Sequence, residues 1–313
     1  MASSPRVVVV GSVNMDVVAR VETLPRPGET LTGRELVMNP GGKGANQAVA
    51  AARLGAEVAF IGRVGADGFG VELRRTLEEA SVDCSQLATI SGVASGTALI
   101  HVDDKGENAI TVIPGANACL TPRDIKEARP VMEEADVLLL QLEIPLETAL
   151  AVIEEAKDLG VPVILDPAPA PRAVDKRLCR VDVLTPNETE ATALTGEASA
   201  SAEATAEALR RAGARHVVLK RGAAGAVVLD ESGTISSVPA FSVSPVDTTA
   251  AGDAFTAALA VEWARGTPLV QAVRFGCAAG ALATTKVGAQ SAMPGYDAVL
   301  SLLREENATK EIE

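Results

Sequence analysis

The sequence predicts an α/β fold: a doubly wound, mostly parallel sheet flanked by helices, with a small β-sheet lid set apart from it. Three observations carry this expectation. Short apolar, β-branched runs alternate with alanine-rich helical stretches, the pattern of strand–helix–strand units that feed a parallel sheet. Several runs are apolar without interruption, such as VVVV at 7–10 and VLLL at 137–140, as strands covered by helices on both faces require. Two regions, 13–40 and 95–113, break the alternation with strand-like runs that have no helix between them.

Taken in order, strands are expected at Val7–Val10, Val58–Val64, Val137–Leu142, Val161–Leu165, Val181–Leu184, Val217–Leu219 and Ala226–Leu229. Helices are expected at Gly44–Leu54, Phe69–Ala80, Pro145–Leu159, Glu188–Leu194, Ala202–Ala212, Gly252–Arg265 and Pro268–Lys286. The irregular regions contain VVARVETL, TLTGREL, GTALIHV and NAITVI. These form either a flap over a crevice or an antiparallel edge with no further role. No internal repeat or long linker is evident, so residues 1–313 read as a single domain. The stretch GEASASAEATAEA from Gly196 reads as a loop leading into a helix, and the charged tail REENATKEIE as a frayed end.

Composition narrows the function. The chain has 313 residues, enough to bury a core without staples, and a net charge of −13. That charge argues against a nucleic-acid partner, which needs a basic face. Cys84, Cys119, Cys179 and Cys277 are far apart with no CxxC pair, so disulfides and structural zinc are not expected. With only His101 and His216, a histidine-rich metal centre is excluded. The apolar stretch after MASSPR is too short for a signal peptide, and no run of about 18 apolar residues exists to span a membrane. The expected setting is cytoplasmic.

In open parallel sheets, ligands bind beyond the carboxyl ends of the strands. Polar residues recur there: Asn14 and Asp16, Glu143, Asp166, then Asn187, Glu188 and Glu190, then KRGAAG at 220–225. Three glycine-rich features stand out. NPGGKGANQ, 39–47, opens a helix and permits close backbone approach. Its Lys43 opposes the helix dipole, so it is either balanced by a polyhydroxyl or anionic ligand or simply solvated. KRGAAG fits a phosphate-cradling loop or a strand-to-strand turn. DTTAAGD, 247–253, precedes a helix whose first N–H groups are free to bind an anion. Asp253 in that first turn is either a general base beside an anion hole or a carboxylate that only favours the dipole. A base and an anion hole in one turn suit phosphoryl transfer to an alcohol. Neither Walker A nor GxGxxG occurs, which lowers the dehydrogenase alternative.

GSVNMD, RPGET, PGGKGANQA, QLEIP, DPAPAP, TPNETEA, VDTTAAGDAF and KVGAQ, in this order over nearly the whole chain, closely resemble the PfkB carbohydrate kinase family. GGKGANQ, with its lysine, resembles the ribose-phosphorylating branch. The resemblance implies ATP-dependent phosphorylation of D-ribose at O5, giving D-ribose 5-phosphate and ADP. Other kinases of the family, acting on 2-deoxyribose, fructose, adenosine, pseudouridine or ketodeoxygluconate, are the alternative, followed by a non-catalytic sugar-binding protein. It implies sugar contacts from Asn14, Asp16, Gly42, Lys43, Asn46 and Glu143. It implies nucleotide contacts from Asn187, Lys220, Arg221, Gly222, Ala223, Ala224, Gly225, Gly252 and Cys277. The anion hole would be Ala250, Ala251 and Gly252, with Asp253 as base. Glu190 would organise Mg²⁺ through water. Asp247, Thr249, Ala283, Lys286, Gly288 and Ala292 would surround K⁺, largely through backbone carbonyls. A homodimer through the lid is also implied.

Overall fold

The computed structural model describes residues 4–170, 175–196 and 201–310. Its strands are β1 (Arg6–Val10), β2 (Asn14–Arg20), β3 (Glu35–Gly41), β4 (Glu57–Gly65), β5 (Val82–Asp83), β6 (Leu87–Ile90), β7 (Gly96–Val102), β8 (Asn108–Ile113), β9 (Val137–Leu140), β10 (Val163–Leu165), β11 (Val183–Leu184), β12 (His216–Lys220), β13 (Ala226–Leu229) and β14 (Ile235–Val238). Its α-helices are α1 (Lys43–Arg53), α2 (Gly68–Glu79), α3 (Pro122–Glu127), α4 (Arg129–Glu133), α5 (Leu146–Leu159), α6 (Glu188–Thr195), α7 (Ala202–Ala212), α8 (Ala251–Ala264), α9 (Leu269–Ala283) and α10 (Tyr296–Lys310).

The large sheet has the order β14-β13-β12-β11-β10-β9-β1-β4-β5, with β6 also pairing β4. It is parallel from β5 to β12, and β13 and β14 add antiparallel at one edge. The alternation of side chains across each strand divides the core in two. Val7 and Val9 point into one layer with α1, α2, α8 and α9; Val8 and Val10 point into the other with α3 to α7. Both faces are therefore dry, which accounts for the unbroken apolar runs.

Small residues let α8 come close to its neighbours. A Cβ on Gly276 of α9 would lie 2.9 Å from the Phe255 carbonyl. All of Asp253–Glu262 is buried. The N-terminus of α8 is thereby held rigidly at the sheet's carboxyl edge.

The second sheet has four strands, ordered β3-β2-β7-β8, with β2 and β7 parallel and both outer pairs antiparallel. GTALIHV and NAITVI coincide with β7 and β8. TLTGREL does not become a strand over its length: β3 starts at Glu35 and runs on through Pro40. Proline is tolerated there because β3 is an edge strand and its missing N–H interrupts no inner ladder. VVARVETL is strand only to Arg20.

The sequence pattern missed the short strands β5, β6 and β14, and helices α3, α4 and α10. The last corrects the reading of a frayed tail, since α10 continues through REENATK; residues 311–313 lie outside the described residues. So do 197–200 of the alanine-rich loop, after which Ser201 caps α7 by accepting from the Ala204 N–H at 3.2 Å.

Candidate active site

The carboxyl ends of β1, β9, β10, β11 and β12 deliver polar side chains to one edge of the large sheet. The small sheet and the N-termini of α1 and α8 meet them there. At the end of β1, the Ser12 hydroxyl donates to Glu143 Oε2 at 2.5 Å. The Lys43 N–H donates to the same oxygen at 3.1 Å, and Asn14 Nδ2 approaches it at 3.5 Å. Asn117, which no sequence pattern singled out, donates to Asn14 Oδ1 at 2.7 Å and accepts from the Val13 N–H at 3.0 Å. It orients Asn14 from behind.

Glycine is required at this corner for two reasons. Gly42 has φ +88°, and a Cβ there would stand 2.7 Å from the Asn14 nitrogen. A Cβ on Gly41 would overlap the Asp16 carboxylate, 2.1 Å from Oδ2. The sequence GGK therefore places the backbone against Asn14 and Asp16 and leads directly into α1.

Asp16 is pushed up to about 7 by burial, with Glu143 and then Asp253 adding repulsion. Burial alone would lower Lys43, but Asp253, Asp166, Glu143 and Glu190 outweigh it and hold the ammonium firmly charged. Among the described residues, no carboxylate lies within salt-bridge distance of that ammonium. Lys43 thus answers a field of surrounding carboxylates rather than one partner, which explains a cation at the start of α1.

Asp253 is 4% exposed. Asn46 Nδ2 donates to its Oδ2 at 3.0 Å and Gln47 Nε2 to its Oδ1 at 3.1 Å. Burial raises its pKa above the usual carboxylate range; Lys43 opposes the rise, Asp166 adds to it, and the two amides only partly offset it. A raised carboxylate is a better proton acceptor at neutral pH. Asn46 Oδ1, turned away from Asp253, is buried without a partner, an acceptor placed for a ligand hydroxyl.

No side chain caps α8, and its first residue is preceded by Ala250 in the left-handed conformation, φ 59°. A non-glycine residue there costs about 1–2 kcal/mol. The result is a helix start whose Gly252 and Asp253 N–H groups have no capping acceptor, beside Asp253 itself. Lys220 closes the other side. Its Nζ is 3.7 Å from where a Cβ on Gly252 would stand, and it pairs with buried Asp166 at 2.7 Å.

A cavity of about 360 Å³ extends from this point, lined by Lys220, Gly222, Ala223, Gly225, Gly252 and Cys277 among others. KRGAAG forms the turn between antiparallel β12 and β13, and Lys220, Gly222, Ala223 and Gly225 also line this cavity. Three of the nucleotide-side residues implied by resemblance, Asn187, Arg221 and Ala224, do not line it. Arg221 reaches Glu188 at 3.5 Å instead, and Ala224 faces outward. Cys277 is pushed up to about 12 by burial, so its thiol is a neutral wall.

Asn187 and Glu190 form a reciprocal cap on α6. The Glu190 N–H donates to Asn187 Oδ1 at 2.8 Å, and the Asn187 N–H and Nδ2 donate to the Glu190 carboxylate at 2.8 and 2.9 Å. Burial raises Glu190 despite Lys220 nearby. Among the described residues, no three Asp, Glu, His or Cys side chains converge as a metal cage. One buried carboxylate fits Mg²⁺ arriving with a nucleotide, because that ion keeps several waters and binds chiefly to phosphates.

Of the residues implied for a monovalent cation, Asp247, Thr249 and Gly288 are joined by hydrogen bonds. Asp247 accepts from the Thr249 hydroxyl at 2.6 Å and N–H at 2.9 Å, and from the Gly288 N–H at 2.9 Å. Burial alone would raise Asp247, but these donors hold it below the usual range. Ala283 and Ala292 are buried, and the Lys286 N–H approaches the Ala283 carbonyl at 3.5 Å. The aspartate side chain is committed to the loops, leaving the surrounding carbonyls as the available ligands.

Known proteins resemble this chain over nearly its whole length. The chain is 40% identical over 298 residues to a ribokinase of Haemophilus influenzae, covering 94% of this chain and 97% of that protein. It is 35% identical to a deoxyribokinase of Salmonella typhi, covering 93% and 96%. Its fold superposes on the ribokinase of Arabidopsis thaliana complexed with ribose and ATP with a TM-score of 0.88, at 32% identity, over 96% of this chain and 99% of that one. The family model described as pfkB family carbohydrate kinase matches residues 4–295, and the chain belongs to that family of kinases.

Proposed function

We propose that this protein transfers the γ-phosphoryl group of ATP to O5 of D-ribose, producing D-ribose 5-phosphate and ADP. The observation that carries this reading is a single one. Asp253, buried and poised to accept a proton, shares its helix turn with uncapped N–H groups beside Lys220. The cavity at residues 220–225 takes the nucleotide. The sugar lies between the two sheets, against Asn14, Asp16, Gly42, Lys43, Asn46 and Glu143, with residues of about 13–40 and 95–113 acting as the lid of one catalytic domain.

In this arrangement the O5 hydroxyl gives its proton to Asp253 as the oxygen attacks the γ-phosphorus. The bond from that phosphorus to the bridging oxygen of ADP breaks. The N–H groups of Gly252 and Asp253, together with Lys220, stabilise the transferring charge, and Ala250 and Ala251 shape the backbone that presents them. Asn187 holds Glu190 in place; Glu190, through water, is the group assigned to Mg²⁺, which supplies charge neutralisation on the phosphates when bound. The likeness to a deoxyribokinase supports 2-deoxyribose as a second reading, since the two sugars differ at one hydroxyl. The four free cysteines fit a reducing, cytoplasmic setting.

Asp253→Asn keeps the shape and removes the proton acceptor. Its kcat should fall by about 10²–10⁴-fold with the KM of ribose nearly unchanged, measured by ADP release; a variant with full kcat would remove Asp253 from this role.

Asp16 illustrates the cost of a sugar site. Its pKa is about 7 when folded against an ordinary 3.8, so the folded chain disfavours its charge. The penalty is absent below 3.8, grows between the two values and is complete above about 7. Asp16→Asn should therefore stabilise the ligand-free protein to urea at pH 8 and not at pH 3.5, while raising the KM of ribose. Equal stabilisation at both pH values would contradict this.

We assign K⁺ to the loops around Asp247, Thr249 and Gly288, as an activator that steadies the start of α8. Rates should be higher in potassium than in tetramethylammonium at equal ionic strength; equal rates refute the site.

We also assign a homodimer to the lid. One face of the small sheet presents Leu36, 64% exposed, and Met38, 56% exposed, together with Leu99, which is in register with Met38 through Val17, and Ile113. The protein should sediment as a dimer at micromolar concentration, and Leu36→Asp with Met38→Asp as a monomer. A wild-type monomer would overturn the assignment.

A further inference from the structure

Behind the proposed base lies a buried polar chain. Gln47 is fully buried on α1. Its Nε2 donates to Asp253 Oδ1 at 3.1 Å and to Asp166 Oδ2 at 2.9 Å. Its Oε1 accepts from Gln141 Nε2 at 2.6 Å. The orientation of this amide follows from chemistry: carboxylates only accept, so both amide hydrogens must face them. Asp166, 1% exposed, is held on its other oxygen by Lys220 at 2.7 Å. A single side chain thus joins the carboxylate that faces the sugar to the ion pair that faces the nucleotide.

From this geometry we infer that Gln47 is a positioning residue for the phosphoryl transfer, and that it couples the proton affinity of Asp253 to the Asp166–Lys220 pair. The inference rests on Asp253 being the base. Gln47 fixes the rotamer of Asp253 from the side opposite Asn46, so that one carboxylate oxygen is presented to the sugar hydroxyl. Asp166 supplies a negative charge next to the base, and Lys220 tempers it. The other charged groups facing Asp253 are Lys43 on α1 and Asp16 on β2. Removing the amide and removing the neighbouring charge should therefore act on the base in opposite directions.

The test is the pH profile of kcat, by ADP release at saturating ribose and MgATP, for wild type, Gln47→Met and Asp166→Asn. Activity requires the charged base, so the acid limb follows its pKa. Gln47→Met removes a donor that favours the charged form. The acid limb should move to higher pH, and kcat at neutral pH should fall roughly 10- to 100-fold, as for loss of a hydrogen bond to a charged group, with the KM of ribose little altered. Asp166→Asn removes a charge that disfavours the charged form, so its limb should move to lower pH. A merely structural role would lower activity without opposed shifts. Limbs that coincide with wild type, or that move in the same direction, overturn the inference. If Gln47→Met does not fold, the Asp166→Asn limb decides alone: lower supports it, unchanged or higher refutes it. The Asp253→Asn enzyme separates the two claims. If it is inactive while these profiles are flat, only the Gln47 inference fails; if it is active, the reading of the base fails.

Discussion

The structure is organised around carboxylates kept out of water at one edge of a parallel sheet. Asp253, Asp166, Asp16, Glu143 and Glu190 come from five different segments, with Lys43 and Lys220 among them. Buried charge is tolerated only when paired or hydrogen-bonded, and here the pairing is incomplete. Amide and hydroxyl donors make up much of the difference: Asn46 and Gln47 on Asp253, Asn187 on Glu190, the Ser12 hydroxyl and the Lys43 N–H on Glu143. What they leave uncompensated appears as the raised proton affinities of Asp16, Asp253 and Glu190. Such a site is held at a cost to the free protein and is ready for a polyhydroxyl on one side and phosphates on the other.

The fold meets that constraint through small residues. Ala250 in the left-handed conformation, followed by alanine and glycine, begins α8 without a side-chain cap. The alanines and glycines of α1, α8 and α9 then let three helices pack closely behind it. Gly41 and Gly42 bring the small sheet's backbone against Asn14 and Asp16. A larger residue at either place would displace Asn14 or Asp16. The same packing leaves the buried start of α8 without a side-chain cap, which suits the proposed reaction, in which catalysis is mostly positioning and charge stabilisation.

Much of this was legible in the sequence. Unbroken apolar runs such as VVVV and VLLL announce doubly covered strands, and polar residues directly after them mark the sheet edge where the buried carboxylates gather. Asp253 could be placed at a helix start from DTTAAGD alone, although spacing could not decide between base and dipole partner. Lys43 was legible as a misfit, and its explanation is the tertiary gathering of carboxylates. Less was legible where long-range contact decides. Asn117 orients Asn14 from 103 residues away, and nothing near it in sequence says so. Gln47, Gln141 and Asp166 lay inside conspicuous strings, yet their mutual contacts need three segments brought together. Arg221 sits in the 220–225 loop with its side chain turned to Glu188, a contact the loop's own sequence does not announce. TLTGREL has strand-like composition, but its glycine and the proline-rich turn before it delay β3 until Glu35, and the charged end of the chain is helical because Leu300, Leu302 and Leu303 of α10 pack on the core.

On the proposed function, this buried edge delivers a phosphoryl group to one primary hydroxyl of ribose. The most direct measurement is product identification with ribose, 2-deoxyribose, fructose and adenosine as acceptors, by ADP release and ¹³C–³¹P coupling in the sugar product. The account predicts the highest kcat/KM for ribose, with phosphorus coupled to C5. Phosphate at C1, preference for a nucleoside, or no acceptor-dependent ADP release would contradict it.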